Sequence, residues 1–245
     1  MSYILFFLMG LNFGLIGAGG SILSMPILIY YLSINPVMAV SYSFYIVGIV
    51  AVIGAIGYLY KKNVNIKDVL YFSIPSSVGV GIARYIILPL ITNQNIVIIL
   101  FSIFMIVSSV ITFFKKDLII VQKIKPLKAI ISAIIIGLIS GTLGAGGGFL
   151  IIPALYNFLN VDIKRAIGTS LSIVAINCFV AIAMDFSKQT AIEFKILLPI
   201  IIFAIIGMMF GILLSEKISN KNMKTGFSIF TLIIGFLMLF KQIYG

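Results

Sequence analysis

Two glycine clusters carry the first chemical signal in this chain: Gly17-Ala-Gly-Gly-Ser21 and Gly144-Ala-Gly-Gly-Gly148, with Pro26 and Pro153 six residues after Gly20 and Gly147. Both lie in otherwise apolar sequence. Glycine permits backbone turns that other residues resist. At membrane depth such a break is tolerated only where protein buries it or it lines a watery cavity. The helix restarting after the break presents N–H groups, and its dipole favours negative charge there. Two converging breaks would thus build an anion site from backbone alone, around Gly17, Gly19, Gly20 and Ser21 and around Gly144, Gly146, Gly147 and Gly148. The competing role for the same glycines is close helix packing.

Neutral hydrogen-bonding side chains stand near both clusters: Ser21, Ser41, Ser43, Thr142, Thr169, Ser170, Ser172 and Asn177. Several such groups acting together suit an oxyanion. Ser43, Thr169 and Ser170 are the leading candidates because they belong to the duplicated motif described below. Each hydroxyl could instead bond back to a helix carbonyl. Arg84 is the basic residue lying well inside an apolar run. It either faces an anion path or snorkels to the surface before Pro89. All six acids (Asp68, Asp117, Asp162, Asp185, Glu193, Glu216) fall in loops or at run ends, and Asp185 is expected to be a solvated loop anchor. Cys178 is expected to be an apolar filler. With no histidine and one cysteine, no metal site and no cofactor is expected.

The elements that must position these groups are membrane helices. The chain has 245 residues, 62% hydrophobic and 9% charged, with a mean hydropathy of +1.26. Soluble domains carry roughly 25% charged residues. A soluble enzyme, a secreted disulfide scaffold and a nucleic-acid-binding domain are excluded. Apolar runs fall at 3–32, 37–60, 69–91, 96–114, 127–159, 166–185, 194–214 and 226–240, and the two containing the glycine clusters exceed one bilayer crossing. The net charge of +11 fits basic cytoplasmic loops against anionic lipid, with no nucleic-acid partner. Tyr30, Tyr31, Tyr58, Tyr60 and Tyr71 read as interfacial residues. The N-terminus lacks a basic n-region and a cleavage site and is expected to be retained.

The chain repeats itself. A shift of 127 residues lays Gly10–Gly48 on Gly137–Ala175 without a gap, with 15 of 39 positions identical. The expected organisation is a first transmembrane repeat over 1–122 and a second over 123–245, together one membrane domain. If all eight runs cross once, the basic residues split 11 to 5 between the two faces, and the bias reverses between halves. If each glycine-broken run is instead a re-entrant hairpin of two half-helices, 13 fall on one face and 3 (Lys188, Lys195, Lys241) on the other. The second arrangement obeys the positive-inside rule better. It makes the halves inverted repeats, with both termini extracytoplasmic and a substrate site near the midplane.

Gly14-Leu-Ile-Gly-Ala-Gly-Gly-Ser-Ile-Leu-Ser-Met-Pro26 and Gly141-Thr-Leu-Gly-Ala-Gly-Gly-Gly-Phe-Leu-Ile-Ile-Pro153 resemble the paired motifs of the TauE/SafE family. Ala166-Ile-Gly-Thr-Ser-Leu171 resembles that family's stretch after the second motif, and Ala39-Val-Ser-Tyr-Ser-Phe44 is its weaker copy. The resemblance implies a prokaryotic cytoplasmic-membrane permease for small sulfur-containing anions such as sulfite, sulfoacetate or other organosulfonates. The fold expected is all-α and polytopic, each repeat opening with a Gly-broken pair of half-helices. The function expected is secondary transport by alternating access, with proton coupling, direction and oligomeric state open. An anion channel and a non-transporting membrane scaffold are the alternatives. The partners expected are the anion substrate and membrane lipid.

Overall fold

A computed structural model describes residues 2–17, 20–91, 93–114, 126–144, 146–159, 163–186, 193–215 and 220–244. Gly19, the 122/123 boundary, Asp117, Asp162, Lys188 and Glu216 lie outside the described residues. Those described form helices and connections, with no strand among them. In the first half these are α1 (Ser2–Ile16), α2 (Ser21–Tyr31), α3 (Pro36–Tyr60), α4 (Ile66–Leu90) and α5 (Gln94–Phe114). The second half supplies α6 (Pro126–Leu143), α7 (Gly148–Leu159), α8 (Ile163–Phe186), α9 (Phe194–Leu214) and α10 (Asn220–Tyr244). Each half therefore contributes five helices in the same order. α3, α4, α8 and α9 contain stretches long and apolar enough to cross a membrane. This is a multi-pass helical membrane protein.

Local sequence explains the starts and stops. Asn35 accepts from Val37 N at 3.0 Å and precedes Pro36 at the first position of α3. Asn65 caps α4 the same way, accepting from Lys67 N at 3.2 Å, and its amide donates to Asp68 at 2.6 Å. The first breaks come where the glycines sit. Gly17 (φ +81°) ends α1, and Gly144 (φ +70°) ends α6. These backbone conformations are strained for residues with a Cβ.

Both breaks fold the chain back on itself. A Cβ added to Gly20 would fall 2.5 Å from Phe13 Cβ in α1, and one added to Gly147 would fall 2.9 Å from Ser140 Cβ in α6. Phe13 and Ser140 are 127 residues apart, the repeat spacing. The first arms are 15 and 18 residues long, about 22 and 27 Å at 1.5 Å per residue. That nearly spans a hydrocarbon core of about 30 Å. The first glycine of each cluster thus lies towards opposite ends of the α3–α8 pair, while Gly146 reaches its middle at Val47 and Val174. Gly17 packs on Ile167 at the start of α8, and Gly144 packs on Val40 at the start of α3. Val40 and Ile167 are again equivalent positions.

The helices pair as the duplication dictates. α1 lies on α9 and α6 lies on α4, the same pair with the halves exchanged. A Cβ on Gly207 would come within 2.9 Å of Leu11 N, and one on Gly79 within 2.8 Å of Leu138 N. Gly10 and Gly14 fit against Ala204 and Ile212, while Gly137 and Gly141 fit against Ser76 and Val80. Lipid supplies no hydrophobic drive between helices, so such backbone-to-backbone approach and its dispersion contacts hold the pairs together. α3 and α8 pack on each other with contacts Gly48 to Cys178, Gly54 to Leu171 and Tyr58 to Gly168. Rising numbers on one meet falling numbers on the other, so the two helices are antiparallel. α5 and α10 are antiparallel by the same test. Met105 meets Gly235, and Ser109 Oγ donates to Ser228 O at 2.5 Å and bonds Thr231 at 2.5 Å.

Candidate functional site

The antiparallel α3–α8 pair is the axis on which the polar residues are arranged. Thr169 and Asp185, sixteen residues apart on α8, stand about 24 Å from each other along the helix. The site residues expected from sequence consequently separate into groups, with no one ligand able to touch all of them.

At one end, Arg84 and Asp185 form an ion pair, each side chain 2% exposed. Arg84 Nε donates to Asp185 Oδ1 at 2.8 Å, and its Nη2 donates to Ser41 Oγ at 2.8 Å. The guanidinium lies 5.3 Å from the centroid of the Phe44 ring. α3, α4 and α8 are thereby tied together. Arg84 sits in a π-helical stretch of α4, Ala83–Ile87, in which Leu88 N reaches back to Ala83 O. Such widened turns recur at functional sites. Of the two roles open to Arg84 its burial disfavours snorkelling, and one expectation is corrected: Asp185 is not a solvated loop anchor. Burial leaves each charge no water, so each is held by the other. Asp185 falls at the end of its apolar run, which is why its position in the sequence suggested a loop. The spacing from Arg84 carries no local signal, since the two come from different halves.

The same end holds Ser43, whose Oγ donates to Gly144 O at 2.5 Å and bonds Ser24 Oγ at 2.5 Å. This links both hairpins to α3. Tyr42 Oη accepts from Glu193 N at 2.9 Å.

At the opposite end, Thr169 Oγ1 accepts from Asn65 N at 3.1 Å. Tyr42 is equivalent to Thr169 by the 127-residue shift, and Glu193 stands 128 residues after Asn65. One bond is thus made twice: a hydroxyl on the long central helix holds the backbone where the next helix begins. Ser170 Oγ donates to its own helix at Ile167 O, 2.8 Å away. Tyr58 Oη donates to Gly14 O at 3.2 Å, and Tyr58 is the residue equivalent to Asp185.

Between the ends lies the second glycine break. Gly146 (φ +63°) fits between Val47 and Val174, which are equivalent residues, so it lies where the two halves meet. Its Cβ position is 3.6 Å from Cys178 Sγ. Gly147 (φ +71°) faces Ser140, and Gly148 opens α7. In the first half Gly20 and Ser21 are both buried. Beside this centre, Asn177 is fully buried on α8, and its Oδ1 accepts from Ser76 Oγ at 2.9 Å and Ser77 Oγ at 3.2 Å. Sequence reasoning noticed Asn177 as polar but missed Ser76, Ser77 and Ser140. Serines in an apolar run look alike until their partners are known.

The broken helices, the exchangeable pairs and the buried charges define an integral-membrane protein built as a duplicated bundle. The family profile described as "Sulfite exporter TauE/SafE" matches residues 2–238. The chain belongs to the TauE/SafE family. Its relatives include a probable membrane transporter protein of Xylella fastidiosa (strain 9a5c), 28% identical over 225 residues, covering 88% of this chain and 84% of that protein. The probable membrane transporter protein YunE of Bacillus subtilis (strain 168) is 24% identical over 282 residues and covers the full length of both. A probable membrane transporter protein of Methanocaldococcus jannaschii is 26% identical over 250 residues, covering 95% of this chain and 92% of that protein. No solved structure matches the chain.

Proposed function

We propose that this transporter moves small sulfur-containing anions, sulfite or an organosulfonate, across the cytoplasmic membrane by alternating access between two inverted halves. The observation that carries the reading is the buried Arg84–Asp185 pair at one end of the α3–α8 axis. A buried guanidinium whose carboxylate partner lies on another helix is a closure that an arriving anion can open. A sulfonate or sulfite oxygen replaces the Asp185 carboxylate on Arg84, in the forked geometry that guanidinium favours for oxyanions. α8 is then released from α4, and the path opens from that end. The opposite end closes through Tyr58, Gly14 and Gly168, contacts made without charge. Gly146, Gly147 and Gly148 line the middle.

The inverted relation draws support from three pairings. α3 and α8 are equivalent and antiparallel, α5 and α10 are equivalent and antiparallel, and α1–α9 and α6–α4 exchange with the halves. It also places 13 basic residues on the cytoplasmic side against 3 outside. Arg84 then closes the extracytoplasmic end, Tyr58 the cytoplasmic end, and the repeats divide near residue 122.

Uptake of radiolabelled sulfite into proteoliposomes tests the function. Saturation, exchange against internal sulfite and competition by methanesulfonate are expected; flux that never saturates and lacks exchange would replace the carrier with a pore. Cysteines at Lys62 and Lys221 in a Cys178→Ala background test the inversion. Both should be shielded from an impermeant thiol reagent in intact cells, and labelling of Lys221→Cys alone would reject it.

A further inference from the structure

Of the hydroxyls buried in this bundle, several are satisfied by their own helix. Ser102 Oγ donates to Ile98 O at 2.7 Å, Thr142 to Leu138 O at 2.8 Å and Ser170 to Ile167 O at 2.8 Å. Ser140 departs from this habit. It is 1% exposed, and its Oγ has no hydrogen-bond partner among the described residues. Asn177 Nδ2 is in the same condition, on a side chain with no exposed surface. Leaving a polar group buried and unbonded costs about 1–3 kcal/mol, so two of them close to the same glycine break call for a reason.

Their surroundings coincide. Ser140 lies against Gly147, and Cys178, next to Asn177, lies against Gly146. Asn177 is bonded to Ser76 and Ser77, and Ser76 in turn packs on Gly137, one turn before Ser140 on α6. α4 and α8 thus join Asn177, Ser76 and Ser77, while α6 carries Ser140 one turn from its contact with Ser76 and against Gly147 of the second break.

The molecule also contains its own control. The residues equivalent to Ser140 and Asn177 are Phe13 and Val50, and those equivalent to Ser76 and Ser77 are Ala204 and Ile205. The second bundle packs its helices by the same glycine contacts with apolar residues at every one of these positions. Helix packing in this fold does not require the polar cluster.

We propose that Asn177 and Ser140, supported by Ser76 and Ser77, form the central binding site for the transported oxyanion. This rests on the sulfur-anion reading above. Asn177 Nδ2–H and Ser140 Oγ–H donate to the oxygens of a sulfite or sulfonate group. Ser76 and Ser77 hold the Asn177 carbonyl so that its amide N–H groups face the anion. The ligand is a small oxyanion, for which neutral donors offset the loss of water without fixing it as tightly as a cation would.

The test uses the full-length purified protein, with sulfite as the probe, and reads both its unfolding temperature with and without sulfite and its uptake in proteoliposomes. Asn177→Val, the residue the control bundle uses, should unfold at or above the wild-type temperature without sulfite. It should also lose the sulfite-dependent rise and take up sulfite at least about tenfold more weakly. Ser140→Ala should weaken sulfite binding in the same direction with unchanged unfolding in its absence. If Asn177→Val unfolds well below wild type while the sulfite-dependent rise persists, the amide is a structural tie and the proposal falls. Wild-type uptake preserved in both variants overturns this site alone. Absence of sulfite and methanesulfonate uptake by folded wild-type protein overturns the sulfur-anion reading and this ligand together.

Discussion

The α4–α6–α8 bundle and the α9–α1–α3 bundle are two copies of one packing arrangement, and they have been filled differently. The glycine contacts match to within a residue: Gly79 against Leu138, Gly207 against Leu11. The side chains do not match. Where the first has Arg84, Asp185, Asn177, Ser76 and Ser140, the second has Ile212, Tyr58, Val50, Ala204 and Phe13. What both copies keep is what the fold needs, and what one copy alone carries is available for function. By that criterion the Gly17 and Gly144 turns and the reciprocal Tyr42–Glu193 and Thr169–Asn65 bonds are architecture. The ion pair and the amide cluster are not.

The largest effect should come from breaking the charged end. Asp185→Asn leaves Arg84 buried without its counter-charge and should cost about 3–5 kcal/mol, read by SDS-induced unfolding in mixed micelles. Arg84→Ile with Asp185→Tyr copies the other end and should recover most of that loss while abolishing transport; a double variant as unstable as the single one would show that the ends are not interchangeable. Next in size are Gly10→Val and Gly137→Val. Each pushes a side chain into a neighbouring backbone and should cost at least about 1–3 kcal/mol. The informative result is equality, since a large difference would mean that the two crossings carry unequal load. Thr169→Val and Tyr42→Phe each remove one acceptor for a backbone N–H and should cost about 0.5–1.5 kcal/mol apiece, again equally. Ser109→Ala, at the α5–α10 contact outside both bundles, should cost about 0.6 kcal/mol and leave sulfite uptake unchanged.

Much of the architecture was legible in the residues. The 127-residue shift, the glycine breaks and the all-helical membrane class follow from composition and self-similarity, properties that a one-dimensional string retains. The partners were not legible. Asp185 looked like a loop residue because charge at a run's end is ordinarily solvated, and only packing of α8 against α4 removes the water. Thr169 looked like a ligand because it belongs to a repeated motif; its bond to Asn65 N and the duplicate bond of Tyr42 to Glu193 N depend on partners from another helix, which the motif does not reveal. The breaks were expected to converge near the midplane; Gly17 and Gly144 pack towards opposite ends, on Ile167 and Val40, and Gly146 reaches the centre between Val47 and Val174. Asn177 and Ser140 are separated from similar serines only by what they fail to bond, a property of three dimensions.

Arg84 and Asp185 are 101 residues apart in the chain, and that interval has a consequence for biogenesis. The ribosome delivers α4 to the bilayer before α8 has been made, so Arg84 enters without its carboxylate. An arginine in a lone apolar helix opposes insertion, by about 2.5–3.5 kcal/mol at the centre, and Arg84 stands nearer the end of α4. The first half, on its own, therefore carries a charge whose partner belongs to the second. With one charge placed in each half, neither half can neutralise its own; each becomes the complement of the other.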